Sequence, residues 1–169
     1  MLKKAHDSGA TLYYDINFRA SHIKDIPETL ENIRENMAMS SVVRGSLEDF
    51  GYLFGETDVD VLYEKHIRPY CEFFICTNGG EPIELRTPTL SAQFPATKIK
   101  TVSTIGAGDN FNAGFVYALM KGGNRPLDSL SLDEWAELIK TGQRFAADVC
   151  QSYQNAISHA LGVKLKVES

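Results

Sequence analysis

The chain has 169 residues, 43% apolar and 23% charged, with 17 basic against 22 acidic side chains and a net charge of −5. That composition excludes an intrinsically disordered or collagen-like chain, and it offers no basic face for a nucleic acid. No apolar run approaches the roughly 18–20 residues of a membrane helix, so neither nucleic acid nor membrane is expected as a partner. The N-terminal residues carry lysines without the apolar segment of a signal peptide. Cys71, Cys76 and Cys150 lack metal-type spacing, and the four histidines are scattered singly. The cysteines read as small apolar filler in a reducing compartment, which places the protein in the cytoplasm.

In chain order, residues 1–9 read as the end of a helix stopped by Gly9. Residues 10–17 form a short β-branched and aromatic run, a buried strand. Pro27 opens a helix with Leu30, Ile33 and Met37 on one face. Residues 41–44 are a short strand, and Ser46 caps the next helix with Asp49 at capping-box distance. A helix over about 58–68 follows, with Val61, Leu62 and Ile67 apolar. Residues 72–77 are a continuous apolar strand of the kind buried in a parallel sheet. Asn78-Gly79-Gly80 is a turn, and extended segments follow near 82–87 and 89–95. From Phe111 a helix carries Phe111, Phe115, Ala118 and Leu119 inward, with Gly122 near its stop. A long amphipathic helix over 131–152 aligns Trp135, Leu138, Phe145 and Val149, and a last helix falls near 154–161. The alternation argues for an α/β fold with a mainly parallel sheet and flanking helices. The start inside a helix, with no strand before it, predicts that a preceding part is missing.

The segment that carries chemistry is Ser103-Thr104-Ile105-Gly106-Ala107-Gly108-Asp109. Small residues at 106–108 let the backbone approach a ligand. The helix beginning there aims unpaired amides and its positive dipole end at one spot. An anion would sit on the N–H groups of Ala107, Gly108 and Asp109. Two readings of Asp109 fit: it takes a proton from a hydroxyl that attacks phosphorus, or it favours the helix start through the dipole. A dinucleotide fingerprint needs glycine where Phe111 stands, and a Walker A loop needs a Gly-Lys-Ser/Thr that is absent.

The fourteen-residue run STIGAGDNFNAGFV resembles the second signature of the PfkB family of carbohydrate kinases, the ribokinase-like sugar and nucleoside kinases. The usual form begins Asp-Thr-Thr; Ser103 and Ile105 replace its first and third residues. Asp15-Ile16-Asn17-Phe18-Arg19 is similar to the Asp-x-Asn-x-Arg strand end of fructokinase-like and sugar-acid-kinase-like members. Ser46-x-x-Asp49 falls where the family often has Asn-x-x-Glu. Thr77-Asn78-Gly79-Gly80 matches its Thr-x-Gly turn, although the next family glycine is Pro82. Asn155-Ala156 stands where Gly-Ala often closes the nucleotide loop, and Asn tolerates left-handed dihedrals.

The resemblance implies a ribokinase-like fold and ATP-dependent phosphorylation of a primary hydroxyl of a sugar or sugar acid. Asp109 would be the general base, and the backbone of Gly106, Ala107, Gly108 and Asp109 the anion hole. Thr77, Gly79, Thr104 and Asn155 would face the nucleotide. Asp15, Asn17 and Arg19 would contact the sugar, with an exposed ion pair as the plainer reading of Arg19. Tyr13, Tyr14 and Phe18 read as core residues. Asp49 would help hold magnesium, with simple helix capping as the alternative. The cofactors implied are ATP and Mg2+. Ser103 replaces an aspartate that holds a monovalent cation in some relatives, so dependence on such a cation is left open. The match covers residues 1–169 as the C-terminal, nucleotide-binding part only. The N-terminal half with its β lid is not in the sequence, which suits a fragment, a truncated gene model or a degenerate member. Loss of that half would expose a sheet edge, so the chain is expected to self-associate as a homo-oligomer or to be marginally stable. Two other classes compete: a non-catalytic nucleotide-binding or interaction module that kept the fold, and a Rossmann-type domain.

Overall fold

A computed structural model describes residues 2–123 and 125–167. The chain divides into two compact units, residues 1–95 and 96–169. In the first, α1 (Leu2–Asp7) ends at Gly9, whose φ of 74° is the left-handed stop that glycine supplies. The strand β1 (Tyr13–Asp15) is shorter than its predicted run at both ends, and on the carboxyl side the chain turns out of the sheet at Asn17, at φ 40°. One short 3-10 turn, Ala20–Asp25, leads into α2 (Ile26–Ala38), with Pro27 in its first turn. Ile33 and Met37 are buried as the periodicity predicts, and Leu30 is half-buried.

The strand β2 (Val42–Ser46) runs two residues past the predicted end. Ser46 then caps α3 (Leu47–Phe54) in a complete capping box with Asp49. Asp58 caps α4 (Val59–Leu62), which widens into a π turn where Arg68 N–H donates to Tyr63 O at 2.8 Å. The strand β3 (Phe74–Thr77) is buried, and Gly79 turns the chain at φ 55° into β4 (Ile83–Arg86) and β5 (Ser91–Phe94).

The five strands lie in the order β1-β2-β3-β4-β5. The pairs β1–β2 and β2–β3 are parallel, while β3–β4 and β4–β5 are antiparallel. The sheet is therefore mixed rather than mainly parallel. Helices connect β1 to β2 and β2 to β3, as parallel pairing demands, while short turns connect the last three strands and force antiparallel pairing. One face of the sheet, with Val43, Phe74 and Cys76, packs with Met37, Phe50, Leu62 and Ile67 into one core. Phe50 meets Phe74 edge-on at 5.3 Å. Burial pushes the Cys76 thiol up to about 12, so this cysteine fills space as a protonated thiol.

The second unit is helical. It contains α5 (Ala107–Lys121), α6 (Leu132–Cys150) and α7 (His159–Val167). Ser131 caps α6 through a second complete capping box, with Glu134. Two glycines bring α5 and α6 together. A Cβ on Gly114 would lie 2.7 Å from Thr141 O, and one on Gly142 would lie 2.8 Å from the Phe111 ring. Phe111, Phe115 and Trp135 stack in sequence at 6.4 and 6.3 Å. The last helix lies later than its predicted position at 154–161, because Ser158 satisfies the Asp148 carboxylate and the residues before it form a loop. No helix among the described residues is long and apolar enough to cross a membrane.

Candidate functional site

In the first unit, the carboxyl ends of the three parallel strands gather the predicted residues. Register makes Asp15 and Arg44 direct partners across β1–β2, and Arg44 is the partner of Ile75 across β2–β3. Thr77 lies two residues beyond Ile75, so the alternation of a strand puts Asp15, Arg44 and Thr77 on one face. The Arg44 Nη1 group donates to both Asp15 oxygens, at 3.1 and 3.2 Å, and its Nη2 donates to Thr77 Oγ1 at 2.6 Å. The two charged side chains are only 8% and 16% exposed. Burial raises the Tyr13 hydroxyl pKa well above its ordinary value, with Arg44 opposing and Asp15 adding to the rise.

Arg44 is the residue the motif reading missed. Its signal was available: an arginine that closes a short apolar strand needs a partner. The structure commits Asp15 to that pairing. Asn17 and Arg19 are exposed on either side of the buried Phe18, and the Arg19 guanidinium meets no acceptor among the described residues. Gly79 sits in the turn closed by Glu81 N–H donating to Asn78 O at 2.9 Å. Asp49 Oδ2 accepts the Ser46 N–H at 2.9 Å, the capping role that its spacing equally predicted. Among the described residues, no three Asp, Glu, His or Cys side chains cluster as a protein-built metal cage.

In the second unit, the loop before α5 is tied to the end of α6. The N–H groups of Val102 and Ser103 both donate to Cys150 O, at 2.8 and 3.3 Å. Gly106 then turns left-handed at φ 78° and starts the helix. Asn155 lies against it: a Cβ on Gly106 would fall 1.6 Å from Asn155 Oδ1. Asn110 Nδ2 joins the two by donating to Gly106 O at 2.9 Å and to Asn155 Oδ1 at 3.3 Å. Two independent reasons therefore require glycine at 106.

The Ala107 amide donates to Thr104 O at 3.1 Å, so it is engaged within the turn. The amides of Gly108 and Asp109 have no backbone acceptor among the described residues and head the positive end of a fifteen-residue helix. The Asp109 side chain is exposed, and no donor or cation among the described residues engages it. A free carboxylate thus stands beside free amides, an arrangement able to accept a proton next to a bound anion. Thr104 is exposed in the same turn.

The chain is similar in sequence and in fold to known kinases. A fructokinase from Rhizobium leguminosarum bv. trifolii is 30% identical over 105 residues, which are 62% of this chain and 32% of that protein. Aminoimidazole riboside kinase from Salmonella enterica, solved with aminoimidazole riboside and an ATP analogue, superposes with a TM-score of 0.80 at 22% identity, covering 97% of this chain and 55% of its own. A protein from E. coli designated ribokinase II, solved with ATP and magnesium, gives 0.77 at 12% identity, covering 99% and 51%. The chain spans from about a third to just over half the length of these relatives, and the solved structures establish a ribokinase-like α/β fold, part of a larger domain. The profile of the pfkB family carbohydrate kinases matches residues 1–160, and the chain belongs to that family.

Proposed function

We propose that residues 1–169 are the nucleotide-binding and phosphoryl-transfer part of a kinase acting on a primary hydroxyl of a sugar or sugar acid. The observation that carries this reading is the Gly106 turn, which leaves two first-turn amides of α5 unbonded beside the exposed Asp109 carboxylate. Asp109 accepts the proton of the attacking hydroxyl. The resulting oxygen bonds to the γ-phosphorus as the bond to the ADP oxygen breaks. The amides of Gly108 and Asp109 hold charge on the phosphoryl oxygens in flight, and the left-handed turn at Gly106, with the Ala107 amide bonded to Thr104 O, positions them. The hydroxyl of Thr77, the Gly79 turn, Thr104 and Asn155 serve the nucleotide.

Magnesium supplies charge neutralisation on the phosphates. Asp49, whose Oδ2 accepts the Ser46 N–H, would be the carboxylate that holds it. Asn17 and the uncommitted Arg19 guanidinium serve the sugar, and an arginine suits a hydroxyl-rich or acidic substrate. Asp15 precedes them on the same strand end, with its carboxylate paired to Arg44.

A second reading is a non-catalytic nucleotide-binding module that retains the fold. Calorimetric titration with magnesium-ADP, followed by ADP release with a panel of sugars and sugar acids, tests both. Micromolar to low-millimolar binding is expected. Absence of binding by a folded chain would overturn the assignment of the nucleotide site. Binding without sugar-dependent ADP release would select the second reading.

A further inference from the structure

We infer that Arg44 is a positioning residue, which fixes the Thr77 hydroxyl as a hydrogen-bond donor to a phosphate oxygen of the bound nucleotide. The inference rests on the proposed nucleotide role of the β3 strand end and goes beyond it in assigning how that hydroxyl is oriented.

A guanidinium has donors only. The 2.6 Å contact from Arg44 Nη2 therefore occupies a lone pair of Thr77 Oγ1, and the hydroxyl hydrogen must point elsewhere. Among the described residues, the acceptor within its reach is Gly45 O at 3.5 Å, the outer limit of a hydrogen bond. The O–H is thus held outward with little to lose when an incoming oxygen takes it. Phosphate oxygens are acceptors, so a hydroxyl turned the other way would present a lone pair to them and repel.

Asp15 completes the device. Both of its oxygens accept from Nη1, which anchors that end of the guanidinium and balances its charge. Arg44 then acts on the nucleotide through Thr77 rather than by reaching for phosphate itself. Strand register builds this arrangement without any loop, since Asp15, Arg44 and Thr77 share one face of three adjacent parallel strands. A site built on strands holds geometry more tightly than one built on loops.

The test is magnesium-ADP calorimetry on the 169-residue chain, with urea unfolding of every variant. Thr77→Val and Arg44→Met should each weaken binding by roughly tenfold, the loss of one hydrogen bond to a charged group. Thr77→Ser should keep wild-type affinity. The Arg44→Met/Thr77→Val pair should bind no more weakly than either single variant, because both remove the same donor. Removing both charges with Asp15→Leu/Arg44→Met should restore cooperative unfolding, since a buried ion pair can be replaced by apolar groups at little cost, but should leave binding weak. Wild-type affinity in that double variant, or additive losses in the first pair, overturns the inference and leaves the nucleotide site standing. A folded wild-type chain that binds no magnesium-ADP overturns both. Loss of the fold in every Arg44 variant makes the residue structural and overturns the inference.

Discussion

In residues 1–95, three strand ends hold a carboxylate, a guanidinium and a hydroxyl in a buried chain of charge-assisted bonds. In residues 96–169, the corresponding work falls to the backbone: a left-handed glycine, two unbonded amides and a carboxylate left in solvent. The first arrangement depends on side chains that satisfy one another, and removing one member leaves a buried charge unpaired. The second depends on what is absent. Asn155 occupies the place where a side chain on Gly106 would lie, and no donor or cation among the described residues holds the Asp109 oxygens. The buried side-chain chain is thus tied to stability, while the exposed Asp109 carboxylate is largely separable from it.

The largest expected effect separates the two regions most sharply. In a complete kinase carrying these residues, Asp109→Asn should lower the rate of sugar-dependent ADP release by about 10²–10⁴-fold. Magnesium-ADP affinity and the urea midpoint should stay near wild type, since the side chain is exposed. Retained turnover would remove Asp109 as the base. In the first unit the large effect should fall on stability instead. Phe50 is fully buried against Phe54 and Phe74, and Phe50→Ala should cost about 3–5 kcal/mol in urea unfolding.

Gly106→Ala should sit between these extremes. The left-handed φ alone costs of order 1–3 kcal/mol for a residue with a Cβ, and the clash with Asn155 adds to it. Gly106→Ala/Asn155→Ala should recover the steric part but not the dihedral part, and calorimetry with magnesium-ADP should show the same partial recovery. Full recovery would mean that the turn conformation itself does nothing for the site.

The smallest effect concerns the frame of the second unit. The Ser131 N–H and hydroxyl, and then Arg125, hold the Glu134 carboxyl below its ordinary value. A depressed carboxyl adds stability above its unfolded pKa and loses it as the pH falls through the folded pKa. Wild type should therefore protect the α6 amides from hydrogen exchange better than Glu134→Gln at neutral pH. That advantage should vanish as the pH drops from the ordinary glutamate range through the lowered one. A difference that persists in acid would assign the effect to packing rather than to charge.

The second unit was far more legible than the first. Its turn is written in consecutive residues, because a glycine that must be left-handed and a helix that must start are local demands. Both α5 and α6 follow their apolar periodicity. In the first unit, Ser46 with Asp49 was legible for the same reason: a capping box closes within four residues. For Arg44 only the need of a partner was legible, since the partners themselves lie 29 and 33 positions away. The carboxyl end of β1 was also hidden, because the chain turns out of the sheet through the dihedral of Asn17 rather than at any change in hydrophobicity.

Local chemistry by itself determined the helices except the last, their caps, the glycine turns, the apolar strand ending at Thr77 and the placing of Asp109 beside a helix start. Those features involve residues within a turn or two of one another, where spacing and conformational preference suffice. Tertiary structure decided the strand order, the antiparallel second half of the sheet and the Asp15–Arg44–Thr77 chain. It also set Asn155 against Gly106. Each of these needs two distant segments brought into one register, and the energy of that register belongs to the pairing, not to either segment alone.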